Sequence, residues 1–242
     1  MSLPVAASAF TFKSAFTSKT YRGFALALVT LAGVLAGLAG FHGPQPSPAD
    51  SIERIPAYQN EAVLERAWAL PVARLYGPKN FVFQENQSLC GPTSIADLLR
   101  SEGVAADAAI VLKHSDATTI AGFLPLGLTL DEEAGLLERE TGKQVKVLRG
   151  LSVEAFRAEM AKSNDPSRRI LVNFSRTPLF GRGHGHFSPI LGYLAEEDLV
   201  FVGDVNAKYR PWVVPTRRLY DAQDTVDNSS HLKRGVLEVE AQ

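Results

Sequence analysis

Apolar residues recur at helical spacing in the part of the chain that follows residue 51. The segment Asn60–Tyr76 has this spacing, and Pro71 is expected to break its helix because proline lacks the N–H that an α-helix needs. Further helices are predicted over residues 91–100, 129–142 and 152–163. The second of these opens with Thr129 and Glu132, a pair typical of a capping box. The pattern therefore predicts a mainly helical first half.

Short apolar runs typical of strands dominate the second half, where Gly, Pro and acidic residues separate them. The predicted strands are residues 81–83, 144–148, 168–174, 186–194, 198–205 and 235–240, and a short helix is predicted over residues 216–227. Helices that mostly precede strands favour an α+β fold. We expect a helical lobe packed on an antiparallel β-sheet lobe.

The first 41 residues predict a secretory signal or an N-terminal membrane anchor. Lys13, Lys19 and Arg22 precede the uncharged apolar segment Gly23–Phe41, whose length of about 20 residues suffices to span a bilayer. Positive charge before this segment places the rest of the chain across the membrane from the cytoplasm, so export is predicted, by cleavage or by anchoring. Residues 42–51 are proline-rich and predict a linker, which leaves residues 52–242 as the folded domain.

Composition and charge narrow the class of partner. The formal net charge of −1 and the lack of a basic stretch argue against nucleic-acid binding. With only 1 cysteine the chain forms no internal disulfide, and its 5 scattered histidines complete no recognisable zinc pattern. No cofactor is therefore predicted. The lone thiol is either a small buried hydrophobic residue or a nucleophile.

The position of Cys90 favours the nucleophile. The thiol follows a polar loop and directly precedes the helix predicted at Gly91, where backbone N–H groups and the positive end of the helix dipole stabilise a thiolate. Pro92 suits a first helical turn because its missing N–H would have no partner there. We therefore expect an activated sulfur at this position.

A thiol nucleophile also needs a base and a group that orients the base. His186 is the predicted base because it opens an apolar strand that would hold its ring, whereas His184 lies in the preceding glycine-rich stretch. The alternative is that both are ordinary surface histidines. Asp204 ends the next predicted strand, and a hairpin would bring it to His186. An acid in this place is otherwise a turn former, and Asn206 is a second candidate orienter.

The predicted oxyanion donor is Gln84, which lies far enough before Cys90 to return its side-chain amide to the sulfur. Gln87 is closer in sequence and less suited to loop back. The order Gln, Cys, His and Asp, with the last two on consecutive strands, follows the logic of papain-like cysteine peptidases. The remaining histidines lie in polar segments and are predicted to be surface residues: His42, His114 and His231.

Several segments resemble phytochelatin synthases, in the same order along the chain. They are CGPTSIADLL, GLTLDEEAGLLERETGKQVKVLRG, GHFSPILGY with the following GDV, and LYDAQDTVD with KRG. The resemblance extends over about residues 60–237 and implies a papain-like fold with a Cys-His-Asp triad that acts on glutathione. It also implies that the thiolate attacks the Cys–Gly amide and that glycine leaves. Water or a second glutathione amine then takes the γ-glutamylcysteinyl group.

The resemblance assigns a role to each candidate by its position. Cys90 is implied as the nucleophile, His186 as the base, Asp204 as its orienter and Gln84 as the oxyanion donor. Arg234 matches an arginine implied to contact a substrate carboxylate, and bidentate arginine suits that task. We take Gly185, which precedes the base, as a further candidate substrate-binding residue. No metal-binding residue is predicted, and cadmium or zinc would enter only as a metal–glutathione co-substrate.

Three departures from the family pattern affect these expectations. Ala207 stands where the family usually has an arginine, although Lys208 and Arg210 lie nearby. The cysteine-rich C-terminal region of the eukaryotic synthases is absent, and the export signal is typical of a bacterial relative. We therefore expect hydrolysis of glutathione to exceed phytochelatin synthesis, in the periplasm or at a membrane anchor that faces it. Two alternatives stay open, a bacteriocin-leader-type cysteine peptidase and a catalytically silent module that binds glutathione or metal thiolates.

Overall fold

The computed structural model describes residues 51–77, 81–115, 119–120, 122–125 and 127–241. The predicted signal or anchor lies outside the described residues, as does the predicted linker apart from its last residue. Within the described ranges, no helix is both long enough and apolar enough to cross a membrane.

The first half of the described chain is helical, as predicted. A 3-10 turn at Pro56–Gln59 leads into α1 (Glu61–Trp68) and α2 (Pro71–Tyr76), followed by α3 (Cys90–Ser101), α4 (Ala108–Lys113) and α5 (Leu130–Thr141). Pro71 both ends α1 and starts α2, because proline fits the first turn of a helix. The capping box of Thr129 and Glu132 is confirmed, and Gly142 ends α5 with a φ of 67°.

The second half supplies all six strands of the sheet. In chain order the elements are β1 (Lys146–Leu148), α6 (Val153–Ala161), a 3-10 turn (Lys162–Asn164), β2 (Arg168–Ser175), α7 (Thr177–Phe180), β3 (Gly185–Leu194), β4 (Leu199–Val202), β5 (Trp212–Pro215), α8 (Thr216–Gln223) and β6 (Val236–Glu240). The strand order is β1-β6-β2-β3-β4-β5, and every pairing is antiparallel. The predicted α+β class is thereby confirmed.

Helices cover both faces of the sheet, because successive residues of a strand point to opposite sides. Leu171 of β2 and Phe187 of β3 pack against α3 and α5. Val172 and Phe174 of β2 pack against α6 and α8 on the other face. Since α3 lies directly against β3, the start of α3 is held beside the first residues of that strand. This packing brings Cys90 to the backbone N–H of Phe187, the residue after His186.

The predicted elements differ from the structure in four places, two of which are the short helices α4 and α7 that the predictions lack. Phe81–Phe83 is not a strand, because the backbone N–H of Val82 donates to the buried carboxylate of Asp97 at 2.7 Å instead of to a neighbouring strand. The predicted map also lacks β5, which pairs with β4 and closes the edge of the sheet. Its four residues are too few to show a period of two.

Candidate active site

Cys90 is the first residue of α3, as its sequence context predicted, and it is half-buried. Burial raises the pKa of its thiol to about 11, although the backbone N–H groups of Phe187 and Gly91 and the charge of Arg176 act in the opposite direction. Burial thus opposes the thiolate that the N–H groups at the helix start favour, and activation of Cys90 stays a prediction. Desolvation of the sulfur outweighs the stabilisation that the local N–H groups provide.

His186 and Asp204 are brought together by the predicted hairpin. Strands β3 and β4 pair antiparallel, and Asp204 follows β4 closely. Nε2 of His186 lies 2.9 Å from Oδ1 of Asp204, and both side chains are buried. Because Asp204 occupies Nε2, Nδ1 is the ring nitrogen left to accept a proton. The ring of His186 also packs edge-on against Phe174, which lies opposite it on β2.

Asp204 accepts hydrogen bonds from four donors. Besides His186, these are Nη2 of Arg176, Nε1 of Trp212 and the backbone N–H of Asn206, at distances of 2.8 to 3.0 Å. Burial alone would favour the protonated acid, but Arg176 and His186 hold the pKa of Asp204 well below its usual range. The carboxylate is therefore ionised and fully engaged. Burial and the nearby Arg176 lower the pKa of His186, so its imidazole is neutral near pH 7.

Arg176 is a site residue that the sequence analysis missed. Its Nη2 contacts both carboxylate oxygens of Asp204, and its guanidinium lies 3.7 Å from the ring centroid of Tyr209. The side chain is buried, and Nη1 has no hydrogen-bond partner. A charged residue directly after the buried strand β2 was the available signal, but nothing local showed that it turns inward to Asp204.

Gln84 lies near this cluster through its backbone. Its N–H donates to the carbonyl of Val205, the residue after Asp204, at 2.8 Å. Its side-chain Nε2 donates to the carbonyl of Asn86 at 2.9 Å, and its Oε1 is buried without a partner. One amide hydrogen of Gln84 is thus engaged and the second is not. Gln87 is exposed, in line with its lower ranking as an oxyanion donor.

Arg234 and Gly185 are in direct contact. A Cβ added to Gly185 would lie 2.3 Å from Nη1 of Arg234, so the guanidinium occupies the space that a side chain would need. Nη1 of Arg234 lies 2.8 Å from Oδ1 of Asn173 and 2.5 Å from a carboxylate oxygen of Asp227, while Nε has no partner. Burial lowers the pKa of Arg234, whereas Asp227 and the nearby Cys90 act to raise it. The two predicted substrate-binding residues therefore lie together beside the thiol.

The competing candidates lie apart from this cluster. His184 is exposed and lies just before the first residue of β3. Oδ1 of Asn206 accepts a hydrogen bond from the backbone N–H of Lys208 at 3.0 Å rather than from His186. His114 contacts Glu140 at the surface, and His231 is exposed, as predicted. His42 lies outside the described residues.

Within the described part of the chain, neither a metal site nor the cavity described next coincides with this cluster. Among the residues that the structure describes, no group of three or more His, Cys, Asp or Glu is arranged to hold a metal ion. A cavity of about 500 Å³ lies between the ends of α2 and α3, and its lining includes Arg74, Arg100 and Val104. None of the predicted site residues lines that cavity.

Comparison with known proteins supports the sequence resemblance. Residues 51–236 match the family model described as phytochelatin synthase. Glutathione gamma-glutamylcysteinyltransferase 3 of Lotus japonicus is 39% identical over 100 residues, which are 36% of this chain and 21% of that protein. Glutathione gamma-glutamylcysteinyltransferase 2 of Arabidopsis thaliana is 27% identical over 169 residues, 69% of this chain and 32% of that protein. The matches thus span about a third or less of these relatives.

Solved structures give weaker similarities. The peptidase domain of Streptococcus ComA, a bifunctional ABC transporter involved in quorum sensing, aligns with a TM-score of 0.46 and 14% identity over 66% of this chain and 96% of that one. A putative C39-like peptidase from Bacillus anthracis aligns with a TM-score of 0.46, 16% identity and 66% of this chain and 93% of that one. The family match covers most of the chain from residue 51 and includes every predicted site residue. The chain belongs to the phytochelatin synthase family.

Proposed function

We propose that this chain is a thiol acyl-transfer enzyme that cleaves the Cys–Gly amide of glutathione and releases glycine through an acyl-enzyme on Cys90. The observation that carries the proposal is the buried His186–Asp204 pair, 2.9 Å apart, next in sequence to Phe187, whose backbone N–H reaches the half-buried thiol of Cys90. A neutral imidazole held by a carboxylate is the arrangement that nucleophilic catalysis requires. The family membership supports glutathione as the substrate.

The pKa values support a general-base route. Because the thiol of Cys90 is protonated and His186 is neutral, the base removes the proton as sulfur attacks the carbonyl carbon. The S–C bond forms, the amide C–N bond breaks, and the imidazolium returns its proton to the leaving amine of glycine. Water, deprotonated by the same imidazole, then attacks the thioester carbon, the C–S bond breaks, γ-glutamylcysteine leaves, and the imidazolium returns its proton to the sulfur of Cys90. Asp204 stabilises the imidazolium in both halves of the reaction.

Two groups are proposed to hold the substrate during these steps. Arg234, whose Nη1 pairs with Asp227 and whose Nε has no partner, is proposed to bind one glutathione carboxylate near Cys90, and Gly185 leaves the room that its guanidinium needs. The free amide hydrogen of Gln84 is proposed to donate to the oxyanion as the tetrahedral intermediate forms.

Incubation with glutathione tests this function. We expect equimolar glycine and γ-glutamylcysteine as the products, measured by mass spectrometry with and without cadmium. A double-glycine leader peptide serves as the alternative substrate, and its cleavage without glycine release from glutathione would identify a leader peptidase instead. Binding of glutathione without any product would identify a silent module.

Replacement of Asp204 by Asn is expected to lower glycine release about 10²-fold. The amide can still hold the imidazole but does not stabilise its charged form. The same change leaves Arg176 buried without its counter-charge, so we expect the free energy of unfolding to fall by about 3 kcal/mol. Steady-state kinetics and chemical denaturation measure the two effects.

The double variant Asp204→Asn with Arg176→Met separates these two consequences. Removal of the unpaired charge should restore much of the lost stability but none of the lost activity. An Asp204→Asn enzyme with full activity would show that His186 needs no carboxylate.

Hydrolysis is expected to exceed phytochelatin synthesis at millimolar glutathione with cadmium present. Ala207 is exposed and uncharged at a position where the family usually has an arginine, which weakens the hold on a second glutathione. Transfer requires the acceptor amine about 3–3.5 Å from the thioester carbon. Ala207→Arg should therefore raise the ratio of phytochelatin to γ-glutamylcysteine several-fold.

Ala207→Gln is the matched control, since it adds length without charge and should leave the product ratio unchanged. Lys208 and Arg210 are exposed nearby and are kept in both variants. A wild-type product mixture that is mostly phytochelatin would contradict this expectation.

A further inference from the structure

Glu133 is a buried acid that the proposed reaction does not use. It lies in the first turn of α5 and has no exposed surface, and both of its carboxyl oxygens lack a hydrogen-bond partner. Most buried polar groups are hydrogen-bonded, so an isolated carboxyl in the interior calls for an explanation. Burial raises its pKa to about 8.

The carboxyl of Glu133 lies against the start of the helix that carries the thiol. A Cβ added to Gly91 would lie 2.3 Å from Oε2 of Glu133, so only a glycine leaves room for the acid there. Gly91 directly follows Cys90, and the negative charge of Glu133 raises the pKa of the thiol. The other charges that act on the thiol are positive: Arg176 lowers its pKa, and Arg234 is coupled to it.

The charged groups on the neighbouring elements do not neutralise the negative charge of Glu133. On β1 and β6, Lys146 and Glu238 pair with each other at 3.3 Å. On α3, Asp97 accepts from the backbone of Val82 and interacts with Arg100. Within the described residues, Glu133 takes part in no ion pair. Burial alone raises the pKa of Glu133, whereas the charge of Glu133 raises the pKa of the Cys90 thiol, so the effect runs from Glu133 to Cys90.

We propose that Glu133 is a positioning residue that acts through Cys90: once its own carboxyl is ionised, it opposes loss of the thiol proton. This inference rests on the proposed role of Cys90 as the nucleophile. The contact with Gly91, the complete burial and the missing partners of the carboxyl support it.

The sign of the pH dependence follows from these positions. Below pH 8 Glu133 is mostly protonated and neutral, so it does not hinder the formation of a thiolate. Above pH 8 it is ionised, and a thiolate beside it would place two negative charges in a desolvated site. The effect on Cys90 is therefore absent at pH 6 and present at pH 9.

Alkylation of Cys90 by iodoacetamide, followed from pH 5 to pH 10 by mass spectrometry, tests the proposal in the full chain. Its rate is proportional to the thiolate fraction, and one pKa unit corresponds to about tenfold in that fraction. We expect Glu133→Gln to react at the wild-type rate at pH 6 and about three- to tenfold faster than wild type at pH 9. The proposal would be overturned if Glu133→Gln and wild type reacted at equal rates at both pH values. It would also be overturned if the ratio of the two rates were the same at pH 6 and pH 9, because a purely structural role would not depend on pH.

Asp97→Asn is the matched control. Asp97 is also buried with a pKa raised to about 8 and lies on α3 itself, but it is not among the groups that shift the thiol. Its replacement should leave the pH dependence of Cys90 alkylation the same as in wild type. The asparagine can still accept the hydrogen bond from Val82.

Thermal unfolding gives a second measurement. An acid with a raised pKa stabilises the fold below its unfolded pKa, near 4.5, and this contribution is lost as pH rises toward 8. The Tm of Glu133→Gln should therefore increase relative to wild type between pH 5 and pH 8. If that variant does not fold, Glu133→Met, also uncharged, is measured in the same way.

The alkylation assay contains no glutathione, so it separates this inference from the proposed function. A protein that releases no glycine but shows the predicted difference in alkylation would retain the inference and lose the function. Normal glycine release with identical alkylation profiles would retain the function and exclude the role of Glu133.

Discussion

Cys90→Ala is expected to reduce glycine release from glutathione to the uncatalysed rate. The sulfur forms the bond that replaces the amide, and this chain has no other cysteine to take over. Cys90→Ser should be almost as inactive, because the hydroxyl is a much weaker nucleophile than the thiol in the presence of the same base. Glycine release under saturating glutathione measures both variants.

The fold should survive this change, which makes the result interpretable. Alanine keeps the Cβ of the half-buried Cys90 and removes only its sulfur, so it fits at the start of α3. Far-UV circular dichroism and Tm close to wild type are the controls. Substantial glycine release by a folded Cys90→Ala protein would refute the proposed nucleophile.

His186→Ala is expected to lower glycine release by about 10³-fold or more, within the usual range for loss of a general base. Nε2 of His186 is bound to Asp204, so the ring is held with Nδ1 as its remaining acceptor. Without it, the protonated thiol of Cys90 has no base to accept its proton. We expect the loss mainly in kcat, because the imidazole acts in the chemical step.

His184→Ala is the matched control, since it removes the same ring two residues away from an exposed position. It should lose less than about twofold, as surface changes usually do. Equal losses in two folded variants would show that the hairpin does not distinguish the base from its neighbour. Recovery of His186→Ala by added imidazole would support the assigned role further.

Local signals were sufficient for the main elements of the fold. Periodicity, the capping box at Thr129 and the glycine after α5 are short-range features, so they predicted the longer helices to within a few residues, whereas the short helices α4 and α7 were not predicted. The strand-like piece at Phe81–Phe83 was wrong because the N–H of Val82 bonds to Asp97, whose position depends on the packing of α3. The four-residue strand β5 was too short to be recognised.

For the candidate site as well, some features follow from the sequence and others only from the tertiary structure. The sequence by itself determined that Cys90 starts a helix and that a hairpin joins the strands of His186 and Asp204, since both follow from residues that are neighbours along the chain. Tertiary structure alone decided how these groups are charged. Arg176 and Glu133 come from distant elements, and their burial beside Asp204 and Cys90 removes water that would otherwise screen them. Protonation at this site therefore depends on long-range packing, which no local pattern in the sequence encodes.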